Sequence, residues 1–173
     1  TLLNLDSEDE AQIFLGCAGG IDTIGTFDFK EEAAPADYQF FRISMMHFRG
    51  GHSGADIHLG RANALKMLAR FVFDCYRAYG NVAIADIVGG ELRNVIPGNA
   101  FVTIGVPADK KEDLRTRLNH YSATVELEYD GIENAQRMTL ETIDAPEKVI
   151  DADTAKRVIM CMHSIQCGVI AMS

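Results

Sequence analysis

Residues 48–64 read "FRGGHSGADIHLGRANA" and place a titratable imidazole, His52, between Gly50-Gly51 and Gly54. Glycines on both sides let the backbone take φ > 0 and come close to another surface. A histidine there could donate a hydrogen bond to an anionic or polarised oxygen, as an oxyanion-hole donor does. The ordinary alternative is an exposed turn histidine. The helix expected to follow would aim its N-terminal amides back at the turn. A second polar loop is "GGELRNVIPGNA", residues 89–100, where Arg93 and Asn94 stand between a glycine pair and Pro97. A guanidinium and an amide in a constrained loop suit carboxylate or carbonyl recognition, although such groups also satisfy their own backbone. Asp6 closes the apolar run "TLLNLD". A carboxylate at a strand end serves either as a metal ligand or as a cap, and one carboxylate is too few for a catalytic zinc.

Other candidates carry less. His58 lies at no recognised ligand spacing from His52, and His47 and His120 sit within a strand run and a helix run. Cys161, His163 and Cys167 invite a metal reading, but on a helix only His163 and Cys167 share a face, and two ligands are too few. The four cysteines (Cys17, Cys75, Cys161, Cys167) show no CxxC pair, so reduced thiols are expected rather than a disulfide framework.

The elements that must position these side chains follow from periodicity. "YQFFRISMMHF" has strand composition. From Asp56 to Tyr79 the apolar positions Leu65, Leu68, Val72, Cys75 and Tyr79 recur at helical steps, with Ser53 or Asp56 as the cap and Gly80 as the stop. "VAIADIV" and "AFVTIGVP" are strands, "DKKEDLRTRLNHYSATVELEY" a second helix with Leu114, Leu118 and Tyr121 on one side, and "QRMTLETID" a strand. Strand, helix, strand, strand, helix, strand is the ferredoxin-like βαββαβ order, an α+β fold with an antiparallel sheet and two helices on one face. Extra N-terminal strands are expected at "IFLGCAGG" and "IDTIGTFDF", and "KEEAAPAD" is expected to be loop. A partial helix-strand unit is expected at "DADTAKRVIMCMHSI" and "GVIAMS".

With 173 residues the chain has enough length for one ordinary core. A net charge of −9 argues against a nucleic-acid partner, which needs a basic face. No run reaches the ~18 apolar residues of a membrane span. No basic start leads into an apolar stretch, and Thr1 opens the chain within an apolar run, so an excised segment of something longer is expected.

Four stretches together, "LLNLDSEDE", "GGHSGADIHLGRANA", "GGELRNVIPGNA" and "GVIAMS", resemble the aminoacyl-histidine dipeptidases, or cytosolic non-specific dipeptidases. These form part of a di-zinc peptidase family that includes carnosinases and succinyl-diaminopimelate desuccinylase. The resemblance implies a lid domain inserted into a zinc-binding catalytic domain. It divides the chain into the end of a catalytic-domain strand (1–11), a lid and dimerisation domain (12–150), and a truncated further helix-strand unit (151–173). It implies that Asp6 is a metal ligand, that His52 stabilises the tetrahedral intermediate, and that Asn94, with Arg93 beside it, contacts substrate. It further implies a cytoplasmic homodimer joined through the lid, a dipeptide substrate, and two zinc ions in the parent that this segment would not hold alone. Such a segment would be inactive by itself. Two positions depart from the pattern: Gly98-Asn99 replace Arg-Glu after "IP", and Gln166-Cys167 replace Pro-Asn before "GV". The competing reading is a stand-alone ferredoxin-like module that binds a small ligand or dimerises by its sheet edge.

Overall fold

The structure is a computed structural model in which residues 10–16 and 19–171 are described. The elements in chain order are β1 (Glu31–Ala33), β2 (Tyr38–Met46), β3 (Gly51–His52), α1 (Ala64–Tyr79), β4 (Ala83–Gly89), β5 (Val95–Ile96), β6 (Ala100–Pro107), α2 (Lys111–Glu128), β7 (Arg137–Ile143), β8 (Lys148–Ile150) and α3 (Ala152–Ser164). Four strands make the main sheet in the order β4-β6-β2-β7. All its pairings are antiparallel, with Ile43 opposite Val102 on one side and Leu140 on the other. This is the ferredoxin-like arrangement, in which the first and third strands of the motif lie at the centre.

Strand alternation decides which face is covered. Phe41, Ile43 and Met45 of β2 and Val102, Ile104 and Val106 of β6 point to one side and are buried. Against them lie Leu68, Phe71, Val72 and Cys75 of α1, Leu114, Leu118 and Val125 of α2, and Ile159 of α3. Each large apolar side chain so buried contributes about 1.5–3 kcal/mol relative to exposure. Leu65 is only half-buried against this core.

Three expectations change. α1 begins at Ala64, capped by the Asn63 side chain, which accepts from Lys66 N. Neither Ser53 nor Asp56 caps it, because Gly60 at φ 66 breaks the helical path after a short 3-10 turn at Ile57–Leu59. At the other end Gly80 stops the helix at φ 75, its N–H donating to Tyr76 O at 2.9 Å. Described residues 13–16 and 19–29 carry no strand; the extra N-terminal strand is instead Glu31–Ala33, in a segment expected to be loop, paired with β8. Ile13, Leu15, Ile21 and Ile24 are about nine-tenths exposed, since apolar content supplies a side-chain pattern but no ladder partner. At the C-terminus α3 forms with Asp151 as its cap, whereas residues 168–171 form no strand. Asp6 and Cys17 lie outside the described residues. No described helix is long and apolar enough to cross a membrane.

Candidate functional site

The β2 strand ends at Met46 and the chain turns sharply, with His47 at φ 62, Gly50 at φ 60 and Gly51 at φ 144. At Gly51 a Cβ would sit 2.6 Å from Asp56 Oδ2 and closer still to the Arg61 guanidinium. Only glycine admits both that φ and that approach. The turn brings Gly51 and His52 into antiparallel pairing with Ile96 and Val95. Ser53 N then donates to Asn94 O at 2.9 Å. The two loops singled out in the sequence are therefore one structural unit, with His52 and Asn94 at adjoining positions.

His52 is exposed and its orientation is determined by three hydrogen bonds. Its backbone N–H donates to Asp56 Oδ2 at 2.9 Å. Its Nδ1 accepts from Gly54 N at 3.1 Å and from Ala55 N at 3.0 Å. Backbone amides only donate, so Nδ1 is the acceptor nitrogen and the neutral ring carries its proton on Nε2. Among the described residues nothing accepts from that Nε2–H. The Asp56 carboxylate is held by Arg61 at 3.2 Å, and Arg61 also donates to Gly50 O at 2.8 Å. The helix dipole expected to serve this turn goes elsewhere. The α1 amides of Ala64 and Lys66 are taken by Pro97 O and Asn63 Oδ1.

A cleft of about 700 Å³ opens beside this unit, lined among others by Ser53, Arg61, Lys66, Arg70, Arg93 and Tyr129. Its cations are engaged. Arg70 grips both oxygens of Glu128 at 2.7 and 2.8 Å. Hydrogen bonding to that guanidinium holds the Glu128 carboxyl below its usual value. Lys66 Nζ donates to the carbonyls that end α3, including Ile165 O at 2.6 Å. Arg93 meets Asp22 at 2.5 Å, with both side chains largely in solvent, so it is the cation most easily exchanged to another carboxylate.

The remaining candidates separate. His47 N donates to Asn99 Oδ1 at 3.1 Å, and a Cβ at Gly98 would meet Phe48 O at 2.7 Å. Gly98-Asn99 thus support the turn before His52. His58 lies in the 3-10 turn and His120 is exposed on α2. His163 stacks on Phe73 with ring centroids 3.8 Å apart. Cys167 Sγ lies 3.9 Å from Asn63 Nδ2. Among the described residues no group of three or more His, Cys, Asp or Glu could hold a metal ion. Sequence reasoning missed Glu133, which is 5% exposed and accepts from Arg49 N at 2.8 Å and Ala62 N at 3.0 Å. It follows a common Asp-Gly turn, and nothing in its neighbourhood marks it as buried.

A family model described as peptidase dimerisation domain matches residues 44–132. The cytosol non-specific dipeptidase of Escherichia coli is 36% identical over 172 residues, which is 99% of this chain and 35% of that protein. In the crystal structure of aminoacylhistidine dipeptidase from Vibrio alginolyticus, the matched part has a TM-score of 0.80 at 32% identity, covering 85% of this chain and 30% of that one. A hydantoinase/carbamoylase family amidase from Burkholderia ambifaria shares the fold at a TM-score of 0.51 and 13% identity, covering 67% of this chain and 30% of that one. The chain spans about a third of the length of these relatives.

Proposed function

The chain belongs to the peptidase dimerisation domain family, and on that premise we propose that it is the lid segment of a zinc-dependent dipeptidase acting on aminoacyl-histidine or other dipeptides. The observation that carries the reading is the state of His52. Its Nδ1 is occupied by two backbone amides, and among the described residues nothing accepts from its Nε2–H, on a loop clasped by Asp56 and Arg61.

When a nucleophile adds to a peptide carbonyl, charge builds on the oxygen. A donor already aimed at that position stabilises the transition state more than the substrate. A neutral Nε2–H does this without giving up its proton. Asn94, joined to the same unit through Ser53 N, offers an amide to the substrate backbone. Arg93 offers a guanidinium to the substrate carboxylate, which would displace Asp22. Lid closure brings these groups over the scissile bond and excludes water.

The resemblance to the di-zinc peptidases is what assigns the two zinc ions and the general base to the catalytic domain of the longer enzyme. Asp6, in the 1–11 strand end, is the ligand proposed for this chain. Residues 12–150 act as lid and dimerisation domain, and 151–173 begin the next unit. The parent is proposed to be a cytoplasmic homodimer joined through lid strands, since β4 and β7 are the outer strands of the main sheet. Hydrolysis of a histidine-containing dipeptide by the full-length protein, with none by the 173-residue chain, is the expected result. Hydrolysis by the isolated chain, or stoichiometric zinc in it, would contradict the lid reading.

A further inference from the structure

Glu133 sits in the turn between α2 and β7, five residues after the end of the helix. Its carboxylate is spread between two backbone amides, Oε2 accepting from Arg49 N and Oε1 from Ala62 N. Those amides bracket the His52 loop, one three residues before His52 and the other ten after it. The guanidinium of Arg49 returns to the same turn, donating to Ile132 O at 3.1 Å. A carboxylate buried to this degree is costly unless its oxygens are hydrogen-bonded, and the amide of the fully buried Ala62 would be an orphan without it.

The clamp extends toward the imidazole. Arg61 immediately precedes Ala62, so the amide held by Glu133 fixes the backbone from which Arg61 projects. Arg61 binds Gly50 O and Asp56 Oδ2, and Asp56 holds the N–H of His52. A glutamine could not substitute. Its one carbonyl oxygen would serve one amide, and its NH₂ would face the other as donor against donor.

We propose that Glu133 is a positioning residue for His52, closing both ends of the loop so that Nε2–H is aimed before substrate arrives. This rests on the reading of His52 as an oxyanion donor. The test is a double-mutant cycle in the full-length enzyme, using His52→Ala, Glu133→Gln and the pair, with kcat and KM measured for one histidine-containing dipeptide. Glu133→Gln should lower kcat by up to about 10²-fold, the scale of a small misplacement of a catalytic group, with KM little changed. On the His52→Ala background it should cost almost nothing more. A full Glu133→Gln penalty that persists without His52 would make Glu133 merely structural and overturn the proposal. If His52→Ala itself leaves kcat unchanged, the oxyanion reading falls and the positioning role falls with it. Should Glu133→Gln fail to fold, amide exchange in the unaltered protein decides the matter. Arg49 and Ala62 amides protected like the central strands support the clamp, and exchange at loop rates refutes it.

Discussion

Replacing Gly51 by alanine should open the His52 loop while leaving the domain folded. The backbone there lies at φ 144, and an L-residue held in such a region costs about 1–3 kcal/mol. The added Cβ would fall within 3.0 Å of Asp56 Cβ and Oδ2 and of the Arg61 guanidinium. Those are side-chain atoms and can withdraw, but withdrawal gives up the bond from Asp56 to His52 N–H. A hydrogen bond to a charged group is worth roughly 1.5–3 kcal/mol. Asp56 is 32% exposed in its side chain, so about 1 kcal/mol is the appropriate share. The total, roughly 2–4 kcal/mol, exceeds what two ladder pairs and a few loop bonds can hold, and the strain is relieved by opening β3 from β5. At about 1.4 kcal/mol per tenfold, exchange of the His52 and Ser53 amides should speed up by roughly 30- to 1,000-fold. Amides of Ile43 and Ile104 in the central strands serve as the internal reference and should keep their protection. Native-state hydrogen exchange by NMR reads both. Unchanged exchange at His52 and Ser53, or equal acceleration at Ile43 and Ile104, would refute the argument that glycine is required there for the loop alone.

The Arg70–Glu128 pair that ties α1 to α2 makes a pH prediction. Hydrogen bonding to Arg70 lowers the Glu128 carboxyl. Its contribution is therefore present above the ordinary glutamate value of about 4.3 and is lost as pH falls through the lowered folded-state value. Thermal melts between about pH 6 and 3 should converge for the unaltered chain and Glu128→Gln at the acid end; parallel curves would contradict it. Cys75 has no exposed surface, and burial pushes its thiol well up. Iodoacetamide should label the exposed Cys161 and Cys167 in the folded state and reach Cys75 only on unfolding, and mass spectrometry showing equal rates would count against the packed core.

The four main strands were legible from their apolar and β-branched runs, and the helices from apolar stripes that are strong in α1 and α3 and weak in α2, where Leu114, Leu118 and Tyr121 carried the reading. β6 lies at 100–107 as its apolar run indicates, and Leu68 and Val72 face the core as the helical stripe requires. Two boundaries were not legible, for identifiable reasons. The start of α1 is set by the left-handed Gly60 and by the Asn63 cap, and Ser53 and Asp56 are equally good caps by composition. β1 and β8 are three residues each and exist by pairing across 117 positions, which local pattern does not encode. At the site, the glycines around His52 flagged the loop. Its attachment to the Asn94 loop and the burial of Glu133 are long-range facts, produced by strand pairing and by a turn that folds back on the loop.

The most direct test of the account is His52→Ala in the full-length protein, with kcat and bound zinc measured on the same sample. Loss of one oxyanion donor should lower kcat by roughly 10²–10³-fold, with zinc content unchanged. Loss of zinc would make His52 a ligand, and an unchanged kcat would mean that its Nε2–H has no part in the reaction.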